Sequence, residues 1–525
     1  MGKSNLNVLV FISGLAVMAT EMTALRLLAP YFGTSLIVTT ILIGSMMAFL
    51  SLGYALGGKY GDRFPELKVL CKITTVAGLV IVLIPIIAQP ILQLASSTLK
   101  PLISGAKLDE PTVAIATVIG GMLGTLVLFA IPITLMGMVS PWAIRLAVED
   151  VKKSGSAAGK LYSLSTFGSI LGSFLPALLL IPTLGVRYTF FSIGCLLLIP
   201  SLIGLFRKEA AVAVPVVFGL LCLLPSLSVR PAEGVIYEEE SLYHFIQVVE
   251  EPYGTCDNAR FLYLNEGIGI HSVKCPDTDS ETYGYWSHMS AAPLYLEDMN
   301  SLSNVLIIGL AGGTMARQML SLYPNIQIDG VEIDGAVVEV GRKYFDNNID
   351  QLNNIVMDGR VYLQNTDKQY DLILIDAYRQ PYIPFHLVTQ EFFQQVFEHL
   401  TPGGVLAINV ASVRGVSHRL AAMIFKTIRS VFPWAIQIQA TRSNDLIIAS
   451  KIEEQKATKP SKDAKVIRAL NRFQKIEGNF ATQIRRAYLS RVKLDVEGWE
   501  EATLLTDDFA PVEMAWDLMT IEYAQ

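Results

Sequence analysis

Seven apolar runs fill the first 229 residues of this chain, at approximately 6–29, 36–58, 71–92, 112–136, 162–182, 188–206 and 210–228. Each has about the 20 residues that a helix needs to cross hydrocarbon. Repeated segments of this kind predict a multi-pass helical domain over 1–229, with the lipid bilayer as its partner. The first run opens after a single lysine, Lys3, and passes through Glu21 and Arg26 without a small-residue cleavage pattern. We therefore expect it to stay in the membrane and not to be removed as a leader. Small residues recur at four-residue spacing, as in Gly53 and Gly57, Gly120 and Gly124, and Gly168 and Gly172. That spacing lets helix backbones approach closely, so it predicts a packed bundle.

Charge divides the chain at the same place. Residues 1–229 hold 15 Lys+Arg and 8 Asp+Glu, net +7; residues 230–525 hold 26 and 39, net −13, which together make the −6 of the 525-residue chain. The second part has the composition of a water-soluble acidic domain. An acidic surface excludes nucleic acid as an expected partner and suits a cationic small molecule. In the loops, eleven Lys and Arg (Lys3, Lys59, Arg63, Lys68, Lys72, Arg145, Lys152, Lys153, Lys160, Arg207, Lys208) fall on one side of a seven-span bundle and three (Lys100, Lys107, Arg187) on the other. Positive loops stay in the cytoplasm. The expectation is a multi-pass cell-membrane protein with a cytoplasmic amino terminus and an extracytoplasmic soluble domain.

Cys256 and Cys275 flank Phe261–Val273, which reads as two alternating strands around an Asn265-Glu266-Gly267 turn. The two cysteines are equidistant from that turn. A hairpin centred there would face them across the ladder, within reach of a disulfide of the kind that persists outside the cytoplasm; two unpaired thiols remain the alternative. This stretch, 230–290, is expected to form a small β-hairpin domain.

From 291 to 525 the pattern becomes strand, glycine turn, helix, strand. Ser303–Gly309 is an apolar strand, followed by Leu310-Ala311-Gly312-Gly313-Thr314 and an amphipathic helix; Gln327–Asp334 is a second strand that ends in Glu332 and Asp334. Glycines at the first turn admit a nucleoside close to the backbone, and a carboxylate closing the second strand accepts from ribose hydroxyls. Asp358-Gly359 follows a third strand, where an acid can accept from an adenine amino group, and Tyr370–Asp376 is a buried strand that ends in a carboxylate. Open parallel sheets bind ligands at their carboxyl ends, so Gly309, Gly312, Gly313, Glu332, Asp358, Gly359 and Asp376 should converge on one crevice. The predicted fold is α/β, a doubly wound Rossmann-like sheet of the class I methyltransferase type, preceded by the small β domain and the helical transmembrane bundle. No cysteine or histidine spacing suits zinc and no phosphate loop is present, so no metal is expected.

These motifs, with Tyr283-Gly-Tyr285-Trp-Ser-His-Met-Ser-Ala-Ala-Pro293 and Asp371–Asp376, resemble the spermidine synthase family of polyamine aminopropyltransferases. With the apolar part included, the chain resembles the membrane-fused members. The resemblance implies decarboxylated S-adenosylmethionine as co-substrate, an amine such as putrescine as acceptor, and a homodimer. It implies Glu332 on the ribose, Asp358 and Gly359 on the adenine, Asp376 as the catalytic carboxylate holding the attacking amine, and Tyr285 as a residue that helps orient the amine; Tyr378 and Arg379 are expected to bind substrate from their place beside Asp376. The sequence departs from the family pattern at three places. Gly312 stands where the family has an acid on the donor's amine end, Arg379 replaces a second acid after the fourth strand, and only Asp279 and Glu281 remain of an acidic pair before the tyrosine segment.

Two other functions fit the same residues. One is a methyltransferase or another adenosyl-dependent transferase that uses intact S-adenosylmethionine with a changed acceptor, for which Arg379 suits an anionic or carbonyl group. The other is a transporter with a nucleoside-sensing domain. Its support is Glu21 and Arg26, since ionisable groups inside a span are functional candidates, and Gly57–Arg63, which resembles the loop motif of major facilitator transporters. An internal Glu21–Arg26 ion pair is the plainer reading.

Overall fold

The protein is seen here as a computed structural model describing residues 2–32, 36–97, 110–148, 154–206, 213–223, 233–254, 256–265, 269–276, 284–378, 383–412, 419–441, 443–452, 492–494, 498–513 and 515–516. It separates into two compact units. The first holds 1–108, 112–231 and 239–245; the second holds 109–111, 232–238 and 246–525.

The first unit is built of α1 (Gly2–Phe32), α2 (Leu36–Arg63), α3 (Leu67–Ser97), α4 (Glu110–Gly137), α5 (Val139–Ala147), α6 (Ser154–Leu175), a π-helical turn (Pro176–Leu180), α7 (Ile181–Leu205) and α8 (Ala213–Cys222). Five segments are long and apolar enough to cross a membrane: Ser4–Phe32, Val38–Arg63, Leu67–Ala95, Ile119–Ala147 and Ser154–Leu205. The last has 52 residues, about 78 Å at 1.5 Å per residue, and it breaks at Gly185 (φ 76°, ψ 171°). It therefore carries both of the expected runs at 162–182 and 188–206. The seventh expected run, 210–228, is helical only over the ten residues Ala213–Cys222, short of a span by itself, and 224–230 lie outside the described residues.

Glycine positions dictate how these helices pack. A Cβ on Gly168 would lie 2.1 Å from the Phe11 carbonyl oxygen, and one on Gly172 2.2 Å from that of Leu15. On α2, a Cβ on Gly53 would meet the Thr134 oxygen at 2.3 Å and one on Gly57 the Met138 Cα at 2.6 Å. The spacing of four thus places α1 on α6, and α2 on the junction of α4 and α5, at backbone contact. The Glu21–Arg26 pair is absent: Arg26 donates to the Leu242 carbonyl, and Glu21 forms no ion pair or hydrogen bond with a described residue.

The second unit has two sheets. The first contains β1 (Val235–Glu240), β2 (Phe245–Tyr253), β3 (Cys256–Leu264) and β4 (Ile270–Lys274) in that order. It is not the separate small domain that the sequence led us to expect over 230–290. Both of its faces are used. Phe261 and Val273 join the core of the following helix α10 (Thr314–Leu322) through Met315 and Met319, while Ile246, Val248 and Leu262 pack on Val337, Val340 and Phe345 around α11 (Gly335–Tyr344). With apolar residues on both sides, the sheet is an integral layer of the unit.

The expected hairpin register also shifts. Symmetric pairing about Asn265-Glu266 would set Arg260 opposite His271, but Arg260 faces Lys274, with a bulge between Leu262 and Tyr263. Cys256 and Cys275 nonetheless form a disulfide, with Cα atoms 6.1 Å apart. They are joined off register and not as directly facing residues.

The second sheet has the order β12-β10-β11-β9-β8-β5-β6-β7. Its strands are β5 (Asn304–Ile308), β6 (Gln327–Glu332), β7 (Leu352–Val356), β8 (Tyr370–Ile375), β9 (Leu400–Ala411), β10 (Trp434–Gln439), β11 (Asn444–Ser450) and β12 (Val492–Leu494). Strands β5 to β9 pair in parallel, and β9, β11, β10 and β12 pair antiparallel. A short helix α9 (Trp286–Met289) precedes β5, and α12 (Gly359–Gln364), α13 (Gln390–His399) and α14 (Arg419–Arg429) cross between later strands. The order reverses between β5 and β8, which is the switch point where a doubly wound sheet opens its crevice.

Gly359 shows how closely the layers fit at that crevice, because a Cβ there would lie 2.3 Å from Ile308 Cγ2. Overpacking of this kind costs about 1–3 kcal/mol. Gly359→Val is expected to lower the thermal midpoint of the purified protein by several degrees; an unchanged melt would mean that α12 does not pack on β5 as described.

Candidate active site

The crevice begins at the turn after β5. Gly309 has φ +88°, and a Cβ there would lie 2.4 Å from the Asp376 carbonyl oxygen. The Asp376 N–H donates to the Ile308 carbonyl at 2.8 Å. The two strand ends therefore touch through backbone, and only glycine fits. Ala311 is left-handed as well, φ 49°, and its N–H donates to Glu332 Oε2 at 2.9 Å. Glu332 Oε1 accepts from the Asp334 N–H at 3.2 Å. Glu332 thus stands at the end of β6 with its carboxylate fixed by two backbone donors. Gly312 donates to Ser272 Oγ at 2.8 Å, and a Cβ on Gly312 would meet Ser272 Oγ at 3.0 Å and Phe345 Cγ at 3.1 Å. Gly313, at φ +82°, caps α10 and abuts Asn347.

Asp358 caps α12. Its Oδ1 accepts from Arg360 N at 2.9 Å and Val361 N at 3.1 Å, and its Oδ2 lies 2.9 Å from His386 Nε2. The His386 contact is the main reason the Asp358 carboxyl sits below the usual carboxylate range. Arg360 in turn forks onto Asp507 with two contacts of 2.6 Å.

Asp376 is half-buried at the end of β8. Its Oδ2 accepts from the Tyr285 hydroxyl at 2.9 Å and its Oδ1 from Asn409 Nδ2 at 2.8 Å. Burial pushes its pKa up to about 7, against the pull of the Asn409, Tyr285 and Trp286 donors. Asn409 is itself held, accepting at Oδ1 from Asn444 Nδ2 at 3.0 Å. A carboxyl that titrates near neutrality and is fixed by two donors can take a proton from a bound group. Tyr285 stacks on Trp286 with ring centroids 4.8 Å apart, and burial raises its own pKa. The Tyr378 hydroxyl is spent on backbone, donating to the Asn409 carbonyl at 3.0 Å and accepting from the Ala411 N–H at 2.5 Å. Its part is to align β8 with β9, which differs from the substrate contact expected of it. Arg379, like Asp279 and Glu281, lies outside the described residues.

The sequence-predicted acids and glycines therefore gather at adjacent strand ends. Missed were Asn409, Asn444 and Ser272. The signal for Asn409 was present as a lone amide in the apolar run Val405-Leu-Ala-Ile-Asn409-Val410. Ser272 had no comparable mark, because its contact with Gly312 bridges two separate sheets.

The Spermine/spermidine synthase domain matches residues 284–466 of the chain. A probable polyamine aminopropyl transferase of Bifidobacterium longum is 32% identical over 292 residues, which cover 54% of this chain and 62% of that protein. The polyamine aminopropyltransferase of Vibrio vulnificus is 30% identical over 306 residues, covering 57% of this chain and 96% of that one. A probable spermidine synthase structure from Corynebacterium glutamicum aligns at 18% identity with a TM-score of 0.41 over 54% of this chain and 99% of that one. The fold assignment rests on the strand order itself, and the family on the relatives: this chain belongs to the polyamine aminopropyltransferases, a family of transferase enzymes.

Proposed function

We propose that the second unit moves an aminopropyl group from decarboxylated S-adenosylmethionine to a small aliphatic amine such as putrescine. The observation that carries this reading is the backbone contact between Gly309 and Asp376, because it sets the turn expected to hold the nucleoside directly beside a carboxyl with a pKa of about 7. In the proposed step the acceptor nitrogen's lone pair attacks the methylene carbon bonded to the sulfonium. The carbon–sulfur bond breaks with its electrons going to sulfur, methylthioadenosine leaves, and Asp376 takes the proton lost by nitrogen. Glu332 accepts from the ribose, Asp358 and Gly359 border the adenine, and Tyr285 holds both Asp376 and the amine. The acidic net charge of residues 230–525 favours entry of a dication.

A second donor has an observation in its favour. The Cβ position of Gly312 is filled by Ser272 and Phe345, so no side chain there can grip a donor's amine end. Intact S-adenosylmethionine, whose corresponding end also bears a carboxylate, is the alternative. The deciding experiment offers each donor with a panel of amines and reads the product by mass spectrometry. An aminopropylated product supports the proposal, whereas methylated product from intact S-adenosylmethionine overturns it.

The acid–base role sets a pH dependence. Asp376 must be ionised to accept a proton, so turnover is expected to rise as pH passes through about 7. Asp376→Asn should lose about 10²–10⁴-fold in rate while keeping its thermal midpoint. The Asn409 donor lowers the Asp376 pKa, so Asn409→Leu should move the rising limb to higher pH. An unmoved limb would remove Asp376 from the chemistry.

We place the protein in the cell membrane, with the second unit extracytoplasmic. The long apolar segments support the membrane location; the side rests on the loop lysines and arginines, read with 210–228 crossing as a seventh run, and on the Cys256–Cys275 bridge, a bond that reducing cytoplasm does not maintain. Single cysteines placed at 160 and 460 should be alkylated from opposite faces of intact cells; labelling of both from one face would reverse this assignment.

A further inference from the structure

An ionised carboxyl offers four lone pairs, two on each oxygen, and Asp358, held below the usual carboxylate range, has spent three of them. Its Oδ1 accepts from the Arg360 and Val361 N–H groups at 2.9 and 3.1 Å, which caps α12 and fills that oxygen. Among the described residues, Oδ2 has one hydrogen bond, to His386 Nε2 at 2.9 Å. A carboxylate only accepts, so the imidazole must present its N–H at Nε2. That bond takes one lone pair of Oδ2 and leaves the other pointing away from the ring. The helix end needs only Oδ1, so the His386 bond serves something other than the cap.

The imidazole is itself held in place. His386 lies in the 3₁₀ turn Phe385–Leu387, and its carbonyl accepts from Arg360 Nη1 at 3.2 Å. The same guanidinium forks onto Asp507 with two contacts of 2.6 Å, while Asp507 Oδ1 accepts from Thr389 Oγ1 at 2.8 Å and the Asp507 N–H donates to Glu391 Oε2 at 3.0 Å. Thr389 caps α13, so the turn carrying His386 is tied down on both sides. Three distant parts of the chain, 358–360, 386–391 and 507, are thereby joined in one network that fixes His386 against Asp358. Groups whose partners are fixed in turn keep their direction when a ligand arrives.

We propose that His386 is a positioning residue for nucleobase recognition: by occupying one lone pair of Asp358 Oδ2 it aims the remaining one at the exocyclic amino group of adenine, and so makes that amino group the feature selected. The proposal rests on the adenosyl-binding reading of the crevice, and is indifferent to whether an aminopropyl or a methyl group is transferred. A base without the amino group would leave the aimed lone pair with no donor, and an acceptor left unmet costs affinity. Removing the imidazole frees the carboxylate to tilt, because the terminal torsion of an aspartate has only broad minima. Water can then reach Oδ2 from either side, and the preference for adenine is lost.

The test is titration calorimetry of the full-length protein in detergent with two probes, methylthioadenosine and its analogue with hydrogen in place of the exocyclic amino group. The parent protein is expected to prefer methylthioadenosine by about tenfold. His386→Ala should weaken methylthioadenosine by about that factor and leave the analogue unchanged, so that the preference disappears. His386→Gln, whose amide N–H reaches about as far as the imidazole Nε2, should restore most of it. A histidine that only supported the fold would weaken both nucleosides alike. Equal weakening of both, unchanged binding in His386→Ala, or a Gln variant no better than the Ala variant overturns the proposal while the adenosyl reading stands; a parent protein that binds neither nucleoside overturns both.

Discussion

The backbone contact between the ends of β5 and β8 is what the second unit is organised around. Asp376 N–H bonds to the Ile308 carbonyl, and the Asp376 carbonyl fills the space where Gly309 would carry a side chain. This contact exists because β5 lies between β6 and β8, so the crossovers on its two sides leave in opposite directions and open a gap above it. The glycine turn after β5 and a carboxylate from a separate strand thus become neighbours without a loop having to be ordered to bring them together. Rigid strand ends hold geometry better than loops do.

Asp376 also illustrates how burial and hydrogen bonding divide the work. Burial alone would keep the carboxyl protonated; donors alone would hold it ionised and unable to release or accept at neutral pH. The balance near 7 needs both, and the donors themselves must be fixed. Asn409 is fixed by Asn444 across the antiparallel β9–β11 ladder, and the Tyr378 hydroxyl stitches β8 to β9 on the same level. The antiparallel strand β11 therefore acts on Asp376 through this amide pair.

Legibility in the sequence followed the range of each interaction. Gly309, Glu332 and Asp376 could be placed because each ends an apolar strand, and the parallel fold delivers strand ends to one edge. The long apolar helices were readable, since length and apolarity are local properties, although two of the seven expected runs share one continuous segment and a third is helical over only ten residues. The β3–β4 register was not readable, because Tyr263 pairs with Ile270, already off a turn centred on Asn265-Glu266, and a bulge between Leu262 and Tyr263 then moves the remaining pairs by one more residue. The layering of this sheet against α10 and α11 was hidden too, because its partners on both faces come from helices that lie well beyond it in the chain. Asp358 was read as free to accept, yet both of its oxygens already have partners in the α12 backbone and His386.

The filled space at Gly312 constrains how the site can have changed. Restoring an acid at that position would drive its Cβ into Ser272 and Phe345, and Ser272 is bonded to the Gly312 N–H. The lack of an acid at this position therefore goes with the packing of β4 on the glycine turn. That packing is reinforced by Thr314, which both accepts from the Val273 N–H and donates to its carbonyl at 3.0 Å, and by Arg317, which donates to the Val273 and Gly312 carbonyls. A single substitution could not recover the acid without loosening this junction. In the proposed reaction, selectivity for the donor's far end would then come from the shape of the turn and the field of the acidic unit, since Gly312 offers no ion pair.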